Sequence, residues 1–433
     1  MEKQKLSERL ALARTIKELH VKDPNAIRYS YGLVVETTRR KNLIDKFVNT
    51  VAAPKKISEY DLGVQSFLRL YVYQTRAVKN WARINLQEAK QIAGMGRSII
   101  GWQTVREIEP ILGFLLTQPI ESILKSGRDE QLVGLRTFHP SWFVKYCYRL
   151  MGRDEGIAFL EGSVTPPPTY IRVNTLMATE EGILEKLSVE GVGVEKALPL
   201  QNTYRILEAK KPLNSLQSYR EGLFYIQDKA SCFATQAASP KSGTTVFDVC
   251  AAPGAKTTYI AQLMRNEGSI YSIDFSTRRL EAWKKENARM GNKIAQPVMA
   301  DAMAPLPLVG KADLVVLDPP CSSTGVFAKQ PSAKWRLRPK SIDKMATIQW
   351  RMINNCADKV ATCGVLTYST CSITVEENEM IVERFLKWHP EFTLAPIEPK
   401  IGLPGMRGLT LCRRLYPHLH QCNGFFIAKL QKN

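Results

Sequence analysis

Thr244-Thr245-Val246-Phe247-Asp248-Val249, running into Cys250-Ala251-Ala252-Pro253-Gly254-Ala255-Lys256-Thr257, is the stretch that decides the fold. A β-rich run ends on an acid and an apolar residue, a turn follows at Pro253-Gly254, and helical sequence comes next. The alternation recurs downstream. Further strand candidates are Ser269 to Asp274, Ala295 to Asp301, Ala312 to Asp318 and Gly364 to Ser369, with helical runs between them. That order predicts an α/β domain on a parallel sheet.

In doubly wound sheets, ligands bind at the carboxyl ends of the strands. Here those ends carry the Gly254 turn, Asp274, Asp301 and Asp318. The turn lets backbone approach a ligand closely. Asp274 suits the two ribose hydroxyls of an adenosine-type cofactor, and Asp301 can accept from the adenine amino group. Lys256-Thr257 resembles the tail of a phosphate-binding P-loop, yet Cys250 and Ala255 stand where that motif wants glycine. A dinucleotide turn wants three spaced glycines, and only Gly254 is present. S-adenosylmethionine, which brings no pyrophosphate to cradle, remains.

Two runs, Asp318-Pro319-Pro320-Cys321 and Thr370-Cys371-Ser372, each place a cysteine just past an apolar stretch. Cytosine carbon 5 is a poor nucleophile, so its methylation needs a thiolate to add first at carbon 6. An ordinary thiol titrates near ~8.5 and needs a local field that favours the thiolate, while an acid must engage ring nitrogen 3. Asp318 is the candidate acid. The second cysteine could help expel the first or deprotonate carbon 5. The residues alone leave open which thiol attacks.

The chain has 433 residues, 44% of them hydrophobic, enough for two or three domains. A formal charge of +19 favours polyanionic partners, nucleic acid first among them. Nine cysteines without regular spacing read as reduced intracellular thiols. Met1-Glu2-Lys3-Gln4-Lys5 leads into a charged amphipathic segment, and no run approaches the ~18 apolar residues of a membrane span. The expectation is a cytoplasmic protein, or a nuclear one if its source has a nucleus, with no membrane partner.

Up to about Arg136 the pattern is helical: Leu6, Leu10, Ala13, Ile16 and Leu19 recur every three or four residues, with similar periods over Tyr31 to Ile44 and Phe67 to Tyr73. Arg39-Arg40-Lys41, Arg69, Arg76, Lys79 and Arg83 dot these helices and read as solvated faces, with RNA contact as the sharper alternative. A break comes near His139-Pro140, and Pro166-Pro167-Pro168 marks a stiff connector before Tyr170-Ile171-Arg172-Val173-Asn174. The expected domains are helical over 1–138, small mixed α/β over 139–235 and α/β over 236–433.

From about His139 onward the chain resembles the RsmB/NSUN family of RNA cytosine carbon-5 methyltransferases. The resemblance rests on Phe138-His139-Pro140-Ser141-Trp142, Arg172-Val173-Asn174, Gln227-Asp228-Lys229-Ala230-Ser231, Asp248 to Thr257, Asp318 to Gly325 and Tyr368-Ser369-Thr370-Cys371-Ser372, in that order. It implies a Rossmann-like methyltransferase domain preceded by a small α/β domain that grips RNA. It implies Cys371 as the nucleophile, Cys321 as the thiol that assists product release and Asp318 as the contact to ring nitrogen 3. It also implies a cofactor pocket lined by Cys250, Ala251, Ala252, Pro253, Gly254, Ala255, Lys256, Asp274, Arg279, Asp301 and Asp318. DNA cytosine methyltransferases instead use a thiol resembling Pro320-Cys321, and Thr370-Cys371-Ser372 argues against that reading. The helical start resembles the NusB-like RNA-binding domain of bacterial RsmB through Leu68-Arg69-Leu70 and Gln74, which tilts the substrate toward ribosomal RNA, with transfer RNA as the alternative. Ala255, Lys229 and Asn423 depart from the family pattern, and only Asn423 is expected to alter local packing. A non-catalytic RNA-binding assembly factor is the remaining rival.

RNA contacts are expected at Arg172 and Asn174, and in the loop Phe327 to Lys340, where Lys329, Lys334, Trp335 and Arg336 combine charge with a stacking ring. Cys412, His418, His420 and Cys422 fit no common tetrahedral spacing, so no metal is expected. Cys147, Cys232, Cys356 and Cys363 read as small buried hydrophobes. A monomer is favoured.

Overall fold

The computed structural model describes residues 6–77, 85–125 and 127–433, so Lys79 and Arg83 lie outside the described residues. The chain forms two compact units: the helical residues up to Thr165 joined by Phe327–Arg336, and Pro166–Val326 joined by Leu337–Asn433.

The helical unit is built on the apolar faces that the three-to-four spacing predicts. Leu43, Ile44, Phe47 and Val48 of helix Lys41–Val51 meet Val64, Phe67, Leu68 and Tyr71 of helix Leu62–Val72, and Ile92, Val105, Ile108 and Leu112 complete the core. Gly96 permits a close approach here, because a Cβ would lie 2.5 Å from the Phe67 ring. Several arginines read as solvated faces are instead internal. Arg69 forms a two-pronged pair with Asp45 at 2.6 and 3.0 Å, Arg76 donates to the Leu116 carbonyl at 2.6 Å, and Arg39 donates to the Val164 and Ala328 carbonyls at 2.5 and 2.9 Å. Helices Ser141–Met151 and Arg153–Gly162 also belong to this unit. Between these compact units the chain passes at Thr165, in front of the triple proline.

The second unit holds two sheets. The smaller comprises β1 (Tyr170–Val173), β2 (Val192–Lys196), β3 (Thr203–Ala209) and β4 (Phe224–Ile226), all antiparallel in the order β2-β3-β1-β4. Strand alternation sends Ile171 and Val173 into a core with Ile183, Leu187 and Phe224. It sends Arg172 to the other face, where the side chain is 0% exposed. There its guanidinium donates to Gln227 at 3.1 Å, to Thr258 at 2.9 Å and to Gln262, and lies 4.5 Å from the Tyr259 ring centre. Asn174, equally buried, donates to the Gly222 and Met290 carbonyls at 2.8 and 2.9 Å. These bonds join the small sheet to helices Ala255–Leu263 and Thr277–Arg289 of the larger layer, which makes the expected second and third domains one compact body.

The larger sheet contains β5 (Thr245–Val249), β6 (Ser269–Asp274), β7 (Ala295–Met299), β8 (Ala312–Leu317), β9 (Val360–Thr370), β10 (Phe392–Leu394), β11 (Leu403–Pro404), β12 (Arg413–Leu415) and β13 (Phe425–Lys432). Its order is β11-β12-β13-β9-β8-β5-β6-β7, with β10 against β13. β5 to β9 are parallel, and the later strands add an antiparallel edge. Val249, Ile273, Val315, Leu317, Leu366 and Tyr368 fill the core on one face and Val246, Ile270, Leu314 and Val316 on the other, so these strands are buried without alternation, as a covered parallel sheet requires. The direction of winding reverses between β5 and β8, and the crevice beyond their carboxyl ends is where such a Rossmann-like sheet binds its ligand.

Replacing Arg172 with alanine leaves Gln227, Thr258 and Gln262 each short of a buried partner. A loss of at least ~2 kcal/mol in a urea unfolding series is expected. An unchanged unfolding midpoint combined with weakened RNA binding would restore Arg172 to the RNA contacts.

Candidate active site

The turn after β5 is shaped by backbone that other side chains cannot follow. Cys250 has φ 66°, and Gly254 has φ 109° with its missing Cβ only 2.8 Å from Asn287 Nδ2. Ala251 N–H donates to the Ile273 carbonyl at 3.0 Å, Ala252 N–H to Asp274 at 3.3 Å and Gly254 N–H to the Ala251 carbonyl at 2.9 Å. Three donors that could cradle a phosphate are thus already engaged, which agrees with a cofactor that carries none. Ala255 opens helix Ala255–Leu263.

Asp274, 3% exposed at the end of β6, accepts from Ser276 N–H at 3.1 Å and pairs with Arg279 at 3.3 Å, and Arg279 also donates to the Ala252 carbonyl. Asp301 is exposed just past β7, where it accepts from Met303 N–H at 2.9 Å. Asp318, half-buried beyond β8, pairs with Lys256. Burial opposes the Lys256 ammonium, but the Asp318 carboxylate outweighs it and raises the amine above its ordinary range. The sheet thereby gathers every expected cofactor residue along one edge.

Beneath that edge lie residues that sequence reasoning did not single out for function. Thr257 donates to Asp248 at 2.5 Å and accepts from the Trp283 indole at 3.0 Å. Burial pushes the Asp248 carboxyl up to about 7 despite the Thr257 hydrogen bond and the nearby Lys256. Asp248 reads in sequence as one more strand acid. Its position, two residues inside the strand, was the available signal that it faces protein and not ligand.

The two cysteines meet. Cys321 follows β8, Cys371 follows β9, and their Sγ atoms lie 3.2 Å apart, with Ser323 Oγ 3.7 Å from Cys371. Both are half-buried. The hydrogen bond to Cys371, reinforced by burial and by the charges of Cys371 and Glu377, pushes the Cys321 thiol well above its ordinary range. Their loops are tied together: Ile373 N–H donates to Thr324 at 2.9 Å, Gly325 N–H to the Cys371 carbonyl at 2.9 Å, and the Ser372 hydroxyl accepts from Thr324 at 2.9 Å. Gly424 N–H reaches the Gly325 carbonyl at 2.9 Å, an approach that a Cβ on Gly325 would block at 2.1 Å. This network converges on Glu377. Its signal in the sequence was the acid run Glu376-Glu377-Asn378-Glu379 just beyond Cys371.

The expected RNA contacts need correction. Arg172 and Asn174 are structural staples with every guanidinium and amide bond turned inward, as described above. Within the helical unit, Lys334 is 1% exposed, 5.0 Å over the Trp335 ring, and burial beside Arg39 and Arg40 drives its amine well below the ordinary lysine range. The Trp335 indole is committed to the Thr38 carbonyl at 2.6 Å. Lys329 and Arg336 are exposed. The segment folds this way because Phe327 packs on Phe143 and Glu8 takes the N–H and hydroxyl of Ser332.

Cys147, Cys232 and Cys356 are buried, but Cys363 is exposed, near the start of β9 with φ 60°, contrary to expectation. Cys412 and Cys422 are also buried, in separate apolar clusters, and no metal-holding group occurs among the described residues. At Asn423 the backbone N–H donates to Asp228 at 3.2 Å while the side-chain carbonyl is buried without a partner. Among the described residues, no helix is long and apolar enough to cross a membrane.

The profile of the 16S rRNA methyltransferase RsmB/F family matches residues 235–431, and that of the ferredoxin-like domain of RsmF/B-like methyltransferases matches 139–209. The chain is 27% identical to a probable ribosomal RNA small subunit methyltransferase B of Bacillus subtilis over 438 residues, covering 98% of this chain and 94% of the relative. It superposes on the crystal structure of PH0851 with TM-score 0.81 and 30% identity, covering 97% of this chain and 93% of that one. The structure of NSun6 from Pyrococcus horikoshii with SFG matches with TM-score 0.63 and 27% identity, over 68% of this chain and 98% of that one.

A carboxyl raised by burial binds its proton more tightly folded than unfolded. The associated stability is fully present below the ordinary Asp range near ~3.9 and is lost as pH rises through about 7. Denaturation midpoints of the native chain should therefore fall between pH 5 and pH 8 more than those of Asp248→Asn. Parallel curves would show that Asp248 is ionised in the folded protein throughout.

Proposed function

The chain belongs to the RsmB/F family of ribosomal RNA methyltransferases, and from that premise we propose that it forms 5-methylcytosine in small-subunit ribosomal RNA, in the cytoplasm, with Cys371 as nucleophile. The carrying observation is the pair of thiols 3.2 Å apart at the ends of adjacent strands, beside the Asp318–Lys256 pair and one turn from the cofactor edge.

The residues fit S-adenosylmethionine. Asp274 and Asp301 offer acceptors for ribose and adenine, the turn at Cys250 to Lys256 approaches without a phosphate cradle, and SFG in the NSun6 relative is an analogue of the same cofactor. When bound, S-adenosylmethionine supplies a methyl group on a sulfonium. The protein's part is to make carbon 5 nucleophilic. The Cys371 thiolate adds to carbon 6 and drives electron density to carbon 5, while Asp318 engages ring nitrogen 3, where charge would otherwise build. After methyl transfer a water molecule takes the carbon 5 proton, the C–H electron pair re-forms the carbon 5–carbon 6 double bond, and the carbon 6–sulfur bond breaks with Cys371 leaving as the thiolate. The Cys321 thiol, 3.2 Å from the Cys371 sulfur, donates a hydrogen bond to that sulfur as it departs and so assists release. A cytosine stacked in a helix hides carbon 6 from any thiol, so the target is a loop base or one extruded from its stack.

The test is methyl transfer from labelled S-adenosylmethionine to small-subunit RNA, assembling subunits and transfer RNA, with sodium dodecyl sulfate gels for covalent adducts. Cys371→Ala should abolish both methylation and adduct, whereas Cys321→Ala should accumulate the adduct. Loss of both in Cys321→Ala would reverse the thiol roles, and methylation of transfer RNA alone would overturn the substrate.

A further inference from the structure

Glu377 is 0% exposed and forms no ion pair among the described residues. Its neighbour Glu379 shows the ordinary solution for a buried acid, a two-pronged pair with Arg414 that includes a 2.6 Å bond. A buried carboxylate without a cation is costly and persists only when its oxygens are saturated with donors. Both oxygens of Glu377 are. One accepts from the Ser322 backbone N–H at 2.7 Å and the Gln349 amide at 2.9 Å. The other accepts from the hydroxyls of Ser372 and Thr374, each at 2.7 Å, and of Ser322.

The location of those donors is informative. Ser322 follows Cys321, and Ser372 follows Cys371. Gln349 also donates to the carbonyl of Pro320, on the other side of Cys321, at 3.0 Å. The backbone of Glu377 is itself anchored, its carbonyl taking the Tyr368 hydroxyl at 2.5 Å. One carboxylate thus grips both thiol-bearing loops from below, without touching either sulfur in this network. We propose that Glu377 is a positioning residue for the two-thiol reaction, fixing the separation of Cys321 and Cys371 that addition and release both require. This rests on the roles given above to the two cysteines.

Glutamine has the shape of glutamate but no charge and an NH2 group where one oxygen stood, so either the Ser322 N–H and Gln349 amide face a donor or the three hydroxyls must all reverse to accept, and each outcome loosens the hold on the loops. In Glu377→Gln, kcat per S-adenosylmethionine-binding site should fall at least 30-fold, while KM for the cofactor and for RNA stay within threefold. The charge of Glu377 also helps hold the Cys321 proton. Alkylation of Cys321 by iodoacetamide, compared between Cys371→Ser and Cys371→Ser/Glu377→Gln, should therefore shift to lower pH in the latter. A purely structural acid would lower the number of binding sites and leave kcat per site and the alkylation profile alone, and that result overturns the proposal. If Glu377→Gln no longer binds cofactor, Gln349→Met decides. A fivefold or greater fall in kcat supports the proposal, and native turnover overturns it. Inactive wild-type protein on every RNA would refute the two-thiol function itself, which separates that failure from this one.

Discussion

Parallel pairing of β8 with β9, with Leu317 opposite Tyr368, is the constraint on which the site depends. Fifty residues separate the two cysteines in sequence, and only this register lets the loops beyond the strands meet with sulfurs 3.2 Å apart. A slip of one residue would turn Tyr368 out of the core and Cys371 away from its partner. The buried aliphatic faces of the two strands oppose that slip, and so does the antiparallel partner β13, which locks β9 from its other side through six paired positions from Phe426↔Thr370 to Gln431↔Val365.

On that frame the chemistry divides between two neighbouring edges. Acids stand at the end of β6 and just past β7, while thiols mark the ends of β8 and β9. Lys256 links the edges, rising from the cofactor turn to pair with Asp318. Selectivity among nine thiols follows from environment. Burial pushes Cys147, Cys250 and Cys356 far above the ordinary thiol range and Cys232 up to about 12, so these sulfurs remain protonated.

Much of this was legible in residue order, and the exceptions share a cause. Strand ends, the tight turn and the two cysteine motifs are local features, written in a few consecutive residues, and the structure assembles them on one edge. Whether a basic side chain meets water or protein is decided by a second layer far away in sequence. Arg172 alternates with Ile171 and Val173, which says that it points away from their core but not that Gln262 and Tyr259 wait on the other side. Lys334 sits in a loop rich in charge and looks solvated until Phe327 and Trp335 pull the segment into a helical core. Glu377 was missed for the same reason: a satisfied buried carboxylate has no signature in sequence beyond being an acid.

The contact of Gly325 with Gly424 sets an order of events in biosynthesis. Gly325 is bonded both to Cys371 and to the residue that leads into β13, so the loop carrying Cys371 reaches its final form only when that later strand has docked. Both thiols leave the ribosome before Gly424 does. During that interval the chain carries the two sulfurs without the closed network that pairs them. Emergence of the last strand is therefore the step that converts two exposed cysteines into one working centre.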